Sequence, residues 1–129
     1  MRKDFDSWNE QKKKIDSEEQ LRFPQEGQVW MCACGINVGS EQNGIGEAFS
    51  RPFLVVKKFT DSVFWGVPLS TRQKNWDIYY NFTDPHGREA AVILAQLKLM
   101  SSKRVERKLY DMPQADLQKI KSALIKFLQ

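Results

Sequence analysis

The sequence contains little histidine and cysteine, and it has no long apolar run. Its one histidine, His86, and its two cysteines, Cys32 and Cys34, are too few for an ordinary four-coordinate zinc site or a disulfide framework. The cysteines stand two apart in an apolar stretch, which favours two small buried thiols over half of a metal site. No segment approaches the ~20 apolar residues of a membrane span. Because the charged residues 1–20 also lack an apolar signal-peptide segment, we expect a cytoplasmic protein without membrane contact.

The charge of the chain is positive and is concentrated in its middle. The net charge is +4, and residues 51–108 carry eleven Lys and Arg against five Asp and Glu, so that +6 lies there and −2 elsewhere. A basic surface attracts polyanions such as nucleic acids. An ordinary solvated basic surface explains the same count, so charge alone leaves both interpretations open.

The length of 129 residues suits one domain with a short extension. Residues 4–20 predict a helix on the surface of the protein, because their apolar side chains form only a sparse stripe. Pro24 and Gly27 then mark a boundary. We therefore predict an N-terminal helical extension over residues 1–24 and a single domain over residues 25–129.

Apolar or alternating segments bounded by turn residues predict a set of short, mostly antiparallel strands. They cover residues 28–35, 52–59, 62–70, 77–82, 89–99 and 106–112. Residues 89–99 form either one long bent strand or a pair of strands, and a short helical turn follows at residues 101–105. The glycine-rich residues 36–51 predict a long loop, which inside a compact domain is usually functional.

A C-terminal helix is predicted after Met112, with Pro113 in its first turn. Apolar residues then recur at steps of three and four and form one face. They are Leu117, Ile120, Leu124, Ile125 and Leu128. Strands closed by one amphipathic helix predict a mainly β protein with α, namely a small SH3-like antiparallel β-barrel.

Several ordered segments of the chain resemble the MazF/PemK family of toxins. They are GQVW at residues 27–30, NVGSEQNG at 37–44, RPFLVV at 51–56, VPLST at 67–71 and VILAQLKLMSSKRV at 92–105, followed by the terminal helix. The resemblance implies a homodimeric, sequence-specific endoribonuclease of a toxin–antitoxin system that cleaves single-stranded mRNA without a metal or other cofactor. It also implies a cognate antitoxin whose acidic, flexible tail blocks the RNA groove.

The resemblance places the chemistry on Arg51 and on a neighbouring hydroxyl. Metal-free cleavage uses the 2′-OH of the RNA as nucleophile, so the protein must move protons and stabilise charge on the phosphate. Arg51 matches the catalytic arginine that precedes a proline in the family, and its guanidinium can clamp a phosphate. Ser70 matches the family's hydroxyl position, and Thr71 replaces it if the register shifts by one. From the residues alone, an arginine in a salt bridge and a hydroxyl capping a strand end remain the alternatives.

The chain departs from the family at Ala95, where many relatives carry an acidic residue before the glutamine that matches Gln96. The arginine near that position in relatives corresponds to Lys98. A carboxylate base is therefore missing, so either Glu41 or His86 takes the proton or the activity is weak. Histidine has a suitable intrinsic pKa, although an idle exposed histidine is the ordinary outcome in a turn such as Asp-Pro-His-Gly.

Further residues are predicted to bind RNA through phosphates, base edges or stacking. They are Asn37, Glu41, Gln42, Lys57, Lys58, Arg72, Lys74, Trp76 and Lys98. Packing against the barrel is the more usual role of such an aromatic side chain and is the alternative for Trp76. The competing function is a non-catalytic protein of the toxin fold that acts by binding a protein, as a gyrase-poisoning relative of this fold does, or by binding nucleic acid.

Overall fold

In a computed structural model, the structure describes residues 22–34 and 50–129, so the predicted helix over residues 4–20 lies outside the described residues. Within these ranges, seven strands and one long helix make up the fold. They are β1 (Gln28–Ala33), β2 (Ser50–Lys58), β3 (Val63–Ser70), β4 (Tyr79–Thr83), β5 (Glu89–Ile93), β6 (Lys98–Ser101), β7 (Val105–Asp111) and α1 (Gln114–Phe127). All six strand pairings are antiparallel, which confirms the mainly β class predicted from hairpin-length turns.

The seven strands form an open sheet, and the predicted closed barrel is wrong for the described residues. The order is β4-β5-β3-β2-β1-β7, with β6 paired to β3 outside this path. One edge of β3 serves two partners, because residues 63–66 pair with β6 and residues 69–70 pair with β5. The partners diverge there, and the path ends at β4 and β7 with no ladder between those two strands.

The apolar segment 89–99 is a pair of strands, so the alternative of one long bent strand is excluded. A 3₁₀ turn at Leu94–Gln96 separates β5 from β6. The short helical turn predicted at residues 101–105 is confirmed as a 3₁₀ turn at Ser102–Arg104. Strand β4 begins at Tyr79 instead of residue 77, because the Tyr79 amide donates to the Trp76 carbonyl at 2.9 Å and extends the preceding turn.

Apolar side chains from opposite faces of the strands enter two separate cores, since successive strand residues point to opposite faces. Along β2, Leu54 enters one core and Phe53 enters the other. We call the first the helix core and the second the Trp30 core. The helix core includes Val29, Leu54, Val56, Val67, Leu69, Leu117, Ile120 and Leu124. The Trp30 core comprises Trp30, Cys32, Phe53, Val55, Phe64, Met100 and Val105.

Helix α1 covers the helix core with only part of its predicted apolar face. Leu117, Ile120 and Leu124 are buried, whereas Ile125 is 58% exposed and Leu128 is 80% exposed. The helix begins at Gln114, one residue later than predicted, and Pro113 takes the N-cap position. No helix in the described ranges is long and apolar enough to cross a membrane.

Candidate functional site

Arg51 lies near the start of β2 and reaches toward the end of β3. It pairs with Cys32 of β1, and its Nη2 donates to the carbonyl oxygen of Leu69 at 3.5 Å. Phe53 pairs with Pro68, so continuing this register by two residues sets Arg51 opposite Ser70. Directly opposed residues project from the same face of a sheet. The strand register therefore brings Arg51 and Ser70 together on the face that carries the Trp30 core.

The hydroxyl of Ser70 caps the end of β3. Its Oγ accepts a hydrogen bond from the backbone N–H of Arg72 at 3.0 Å. This is the strand-end contact that the sequence offered as the alternative to a catalytic role. Both interpretations remain compatible, because a hydroxyl that accepts one hydrogen bond still has a proton to donate. Thr71 follows immediately and is exposed.

Cationic side chains surround the thiol of Cys34 on the Arg51 face. Burial raises the pKa of Cys34, while Lys98, Arg51 and Arg104 act in the opposite direction. A cavity of about 320 Å³, here called the cationic cavity, opens beside this thiol. It is lined by Ala33, Cys34, Lys98, Leu99, Met100, Ser101 and Arg104. Among the described residues, the lining carries two cations and no carboxylate, which suits an anion.

Arg104 is a member of this cluster that was not selected from the sequence as a site residue. It follows β6 in the turn Ser102–Arg104, and its segment SSKRV belongs to the matched stretch at residues 92–105. Lys98 was selected, and its Nζ lies 5.2 Å from the ring centroid of Phe53. Phe53 packs in the Trp30 core, and its ring stabilises the Lys98 ammonium group that lies over it.

The two cysteines are not equivalent. Cys32 is buried, and burial raises the pKa of its thiol to about 12. Cys34 is only partly buried and faces the cationic cavity, so the prediction of two buried thiols is right for Cys32 alone. Among the described residues, no group of three or more His, Cys, Asp or Glu is placed to hold a metal ion.

A second cavity, here called the His86 cavity, has a volume of about 500 Å³. Ser70 and Thr71 form part of its lining together with His86. Met31 and Pro52, which pair across β1 and β2, also line it, so it opens on the face opposite to Arg51. The remaining lining residues are Leu69, Asp84, Arg88, Glu89, Ala90, Arg107, Leu109 and Tyr110.

Lys57 and Lys58 lie at the far end of β2 and do not join this cluster. The six residues from Arg51 to Lys57 span ~20 Å along a strand. Lys58 forms an ion pair with Asp61 at 2.8 Å. The Nζ of Lys57 lies 5.9 Å from the ring centroid of Phe59. Neither lysine can therefore contact the same phosphate group as Arg51.

The loop after β3 holds three of the selected residues in an ordered arrangement. Trp76 is 59% exposed and stacks on Tyr79 with ring centroids 6.0 Å apart. The Nζ of Lys74 lies 5.7 Å from the Tyr79 ring centroid. Gln73, which the sequence did not single out, anchors the loop by donating from Nε2 to two backbone carbonyls, each at 3.0 Å. Trp76 thus presents an exposed surface, as stacking requires, and Arg72 is exposed beside it.

The remaining selected residues are distributed as follows. Asn37, Glu41 and Gln42 lie outside the described residues. Ala95, at the position where the resemblance implies an acid, is an exposed residue of the turn Leu94–Gln96. None of the three residues of that turn is acidic. His86 is consequently the one proton acceptor named from the sequence that the structure describes.

Comparison with protein families identifies the class to which this fold and site belong. Residues 25–128 match the model of the PemK-like, MazF-like toxin of type II toxin-antitoxin systems. Because the match spans most of the chain, the protein belongs to this family. In a comparison with curated proteins, no sequence matched the chain.

Solved structures agree on the fold. MazF from Deinococcus radiodurans superposes with a TM-score of 0.65 at 19% identity, covering 83% of this chain and 97% of that one. An endoribonuclease in complex with its cognate antitoxin, from a mycobacterial species, superposes with a TM-score of 0.62 at 19% identity over 81% and 94% of the two chains. A MazE–MazF structure from Deinococcus radiodurans superposes with a TM-score of 0.60 at 19% identity over 83% and 96%. At this identity the similarity establishes the fold.

Proposed function

We propose that the protein is the toxin of a toxin–antitoxin system and a sequence-specific endoribonuclease that cleaves single-stranded RNA without a metal. The observation that carries this proposal is the convergence of Arg51 on the end of β3, where Nη2 meets the Leu69 carbonyl beside Ser70. Family membership supports it, as does the endoribonuclease among the structural relatives.

The reaction starts when the 2′-OH of the RNA attacks the adjacent phosphorus atom. The bond to the 5′-oxygen breaks, that oxygen takes a proton, and the products are a 2′,3′-cyclic phosphate and a 5′-hydroxyl. Arg51 stabilises the added negative charge on the phosphate oxygens, since a guanidinium is always protonated and binds two oxygens at once. Ser70 donates a hydrogen bond to the same phosphate, with Thr71 as the alternative.

The proton of the 2′-OH requires an acceptor, and His86 is our first candidate. Its cavity includes Ser70 and Thr71 in the lining but opens on the face opposite to Arg51, so the RNA must pass over the end of β3 for its 2′-OH to come near both side chains. Glu41 remains the second candidate. The position of Ala95 leaves no carboxylate where relatives carry one.

RNA binding in this proposal uses the cations and the aromatic ring nearest to Arg51. Lys98 and Arg104 in the cationic cavity hold phosphates, and Arg72, Lys74 and Trp76 hold the strand beyond Ser70. Asn37, Glu41 and Gln42 belong to the same proposal as readers of base edges. Lys57 and Lys58 contact only nucleotides remote from the scissile bond, because they lie ~20 Å along β2.

The proposal includes a homodimer and a cognate antitoxin with an acidic tail. Structural relatives include an endoribonuclease with its cognate antitoxin and a MazE–MazF structure. The cationic cavity offers complementary charge to an acidic tail, and a tail bound there would exclude RNA.

The test is cleavage of single-stranded RNA by the purified protein in the presence of EDTA, with sequencing of the product ends. We expect 2′,3′-cyclic phosphate ends at a short recurring sequence. Arg51→Ala should reduce the rate by about 10²–10³-fold, the size of effect seen for one preorganised charge-stabilising donor. Lys119→Ala, on the exposed side of α1, is the matched control and should cut normally. Equal rates for Arg51→Ala and the wild type would refute the site.

A second candidate is a non-catalytic toxin that acts by binding a protein. The groove between α1 and the sheet favours it, because Trp65, Ile125 and Leu128 are exposed apolar side chains that line one surface. The two candidates separate on the same assay. Intact RNA after prolonged incubation with wild-type protein would favour the binding protein.

A further inference from the structure

The segment that precedes β1 lies on the face of the sheet that carries the Trp30 core. Gln28 and Trp30 are two apart in β1, so their side chains share this face. Gln28 Oε1 accepts hydrogen bonds from the backbone N–H of Gln25 at 2.8 Å and from Trp30 Nε1 at 2.9 Å. Pro24 beside it is fully buried. The chain therefore approaches β1 over the same face as Arg51.

Arg22 brings this segment to the cationic cavity. Its Nη1 donates to the carbonyl oxygen of Val105 at 3.2 Å. Val105 directly follows Arg104 and pairs with Cys32, which directly precedes Ala33. Both Arg104 and Ala33 line the cationic cavity. The guanidinium of Arg22 therefore lies next to this cavity.

The sequence directly before Arg22 is acidic. Residues 15–21 contain Asp16, Glu18 and Glu19 and no Lys or Arg. An extended chain spans ~3.5 Å per residue, so Glu19 is within ~10 Å of Arg22 and Asp16 within ~20 Å. In the helix predicted for these residues, with ~1.5 Å per residue, Asp16 is ~9 Å away along the axis. The three carboxylates are within reach of the cavity in either conformation.

The cationic cavity has the opposite charge. Within the described ranges, neither Lys98 nor Arg104 forms an ion pair with a carboxylate. The volume of about 320 Å³ has room for carboxylate side chains. Ion pairs in a partly enclosed site are screened by salt less than pairs in open solvent. The cavity is therefore suited to the acidic residues that the chain itself brings to it.

We propose that Asp16, Glu18 and Glu19 bind in the cationic cavity and compete with RNA for Lys98 and Arg104. The inference rests on the proposed function, because it assigns a regulator to the cations that hold phosphates there. Carboxylates and phosphates both accept charge-assisted hydrogen bonds from lysine and arginine, so they exclude each other from the same donors. Because the acidic residues belong to the same chain, RNA must displace them at a high effective concentration.

The first test neutralises the three acidic residues while keeping their shape. Asp16→Asn, Glu18→Gln and Glu19→Gln are combined in one protein, the near variant. Binding of a 2′-fluoro RNA, which cannot be cleaved, is measured by fluorescence anisotropy. The near variant should bind about threefold more tightly than the wild type or better, the lower end of what three exposed ion pairs contribute.

A matched control separates docking from the change in net charge. Asp4→Asn, Asp6→Asn and Glu10→Gln form the far variant, which removes the same three charges at positions farther from Arg22. We expect its RNA affinity to stay near that of the wild type. A purely general charge effect would raise the affinity of both variants equally.

The thiol of Cys34 provides a measurement that needs no RNA. Cys34 lines the cationic cavity and is partly buried, whereas Cys32 is buried. Its reaction with a dianionic aromatic disulfide (DTNB) should be faster in the near variant than in the far variant. The factor should be about that of the RNA affinities, since both report the fraction of time in which the cavity is open. Cys34→Ser should remove this reaction and thereby identify the thiol.

Arg104→Ala tests whether the cavity is the docking site. In this background the advantage of the near variant over the far variant should shrink, because one of the two lining cations is gone. An undiminished advantage would show that the acidic residues bind elsewhere and would overturn the inference.

The outcomes also separate this inference from the proposed function. Equal RNA affinities and equal thiol rates in the near and far variants would overturn the inference and leave the ribonuclease standing. If none of these proteins bound or cut RNA while the near variant still exposed Cys34, the docking would stand and the proposed function would fall.

Discussion

The two cavities near Arg51 lie on opposite faces of the sheet and differ in the balance of their charges. Among the described residues, Lys98 and Arg104 line the cationic cavity with no carboxylate, whereas two arginines and two carboxylates line the His86 cavity. The end of β3 is connected to both, because Leu69 and Ser70 line the His86 cavity and the Leu69 carbonyl accepts from Arg51, one of the cations near Cys34. The difference indicates that the face with the cationic cavity is the better suited to holding phosphates.

The largest expected effect on stability comes from removing the aromatic ring beneath Lys98, a residue of the cationic cavity. Phe53 is 1% exposed, and its ring lies under the Lys98 ammonium group. Phe53→Ala should lower the free energy of unfolding by about 3–5 kcal/mol, because it leaves a cavity in the Trp30 core. Phe53→Leu should cost less than about 1.5 kcal/mol, since it keeps most of the volume.

Urea denaturation measures both variants of Phe53. If Phe53→Ala were as stable as Phe53→Leu, the Trp30 core would not depend on this ring. If Phe53→Leu folds normally yet weakens RNA binding, the loss points to Lys98 in the cationic cavity, because only the aromatic ring beneath its ammonium group has been removed.

A second prediction concerns the salt dependence of RNA binding. Lys98→Ala and Arg104→Ala should each weaken binding to every RNA sequence alike and lower the slope of log affinity against log salt by about 0.7, the value for one phosphate contact on a single strand. His86→Ala should leave this slope unchanged, since His86 lies in the cavity on the opposite face and contacts no phosphate in this proposal. Titrations at several salt concentrations measure the slopes, and an equal loss of slope in all three variants would remove the distinction between the cavities.

The smallest expected effect concerns Tyr80, which ties β4 to the first turn of α1 by donating to Asp116 Oδ1 at 2.6 Å. Burial, followed by this hydrogen bond, raises the pKa of Tyr80 to about 12 from an ordinary value of 10.0. A raised pKa means that the stabilisation is complete below pH 10.0 and is lost as the pH rises toward 12. Tyr80→Phe should cost about 1 kcal/mol at neutral pH.

Alkaline unfolding followed by circular dichroism tests this prediction. Between pH 10 and 12 the wild type should lose stability more steeply than Tyr80→Phe, because the variant has no proton to release at this position. RNA binding at neutral pH should be unchanged in Tyr80→Phe. The hydrogen bond joins β4 to α1, and neither element supplies a residue proposed to bind RNA. Parallel pH profiles for the two proteins would contradict the role given to this bond.

Much of the fold was predictable because its signals are local. Alternation of apolar side chains and the turn residues between them placed most of the strands, and the terminal helix followed from apolar steps after Met112. The burial of that helix was predicted less well. Ile125 and Leu128 share its apolar pattern but are exposed, because burial depends on how far the sheet extends beneath the last turn.

The site was predictable in part for a similar reason. Arg51 and Ser70 were selected through family motifs, and strand register then brings them together. Lys57 and Lys58 belong to the same strand as Arg51, yet an extended backbone carries them ~20 Å away. Arg104 and Tyr110 gave no local signal of their own, since each enters a cavity only through the path of the chain around β6 and β7.

The sequence by itself determined the family, the mainly antiparallel strands, the terminal helix and the identity of the arginine before Pro52. These features depend on local patterns and on the order of motifs. Only the tertiary structure decided that the sheet stays open, that Arg51 and the His86 cavity lie on opposite faces, and which of the basic residues share one surface. The physical reason is that pairing between strands far apart in the sequence sets which faces meet. The sharing of one edge of β3 by β5 and β6 cannot be predicted from the sequence of either strand alone.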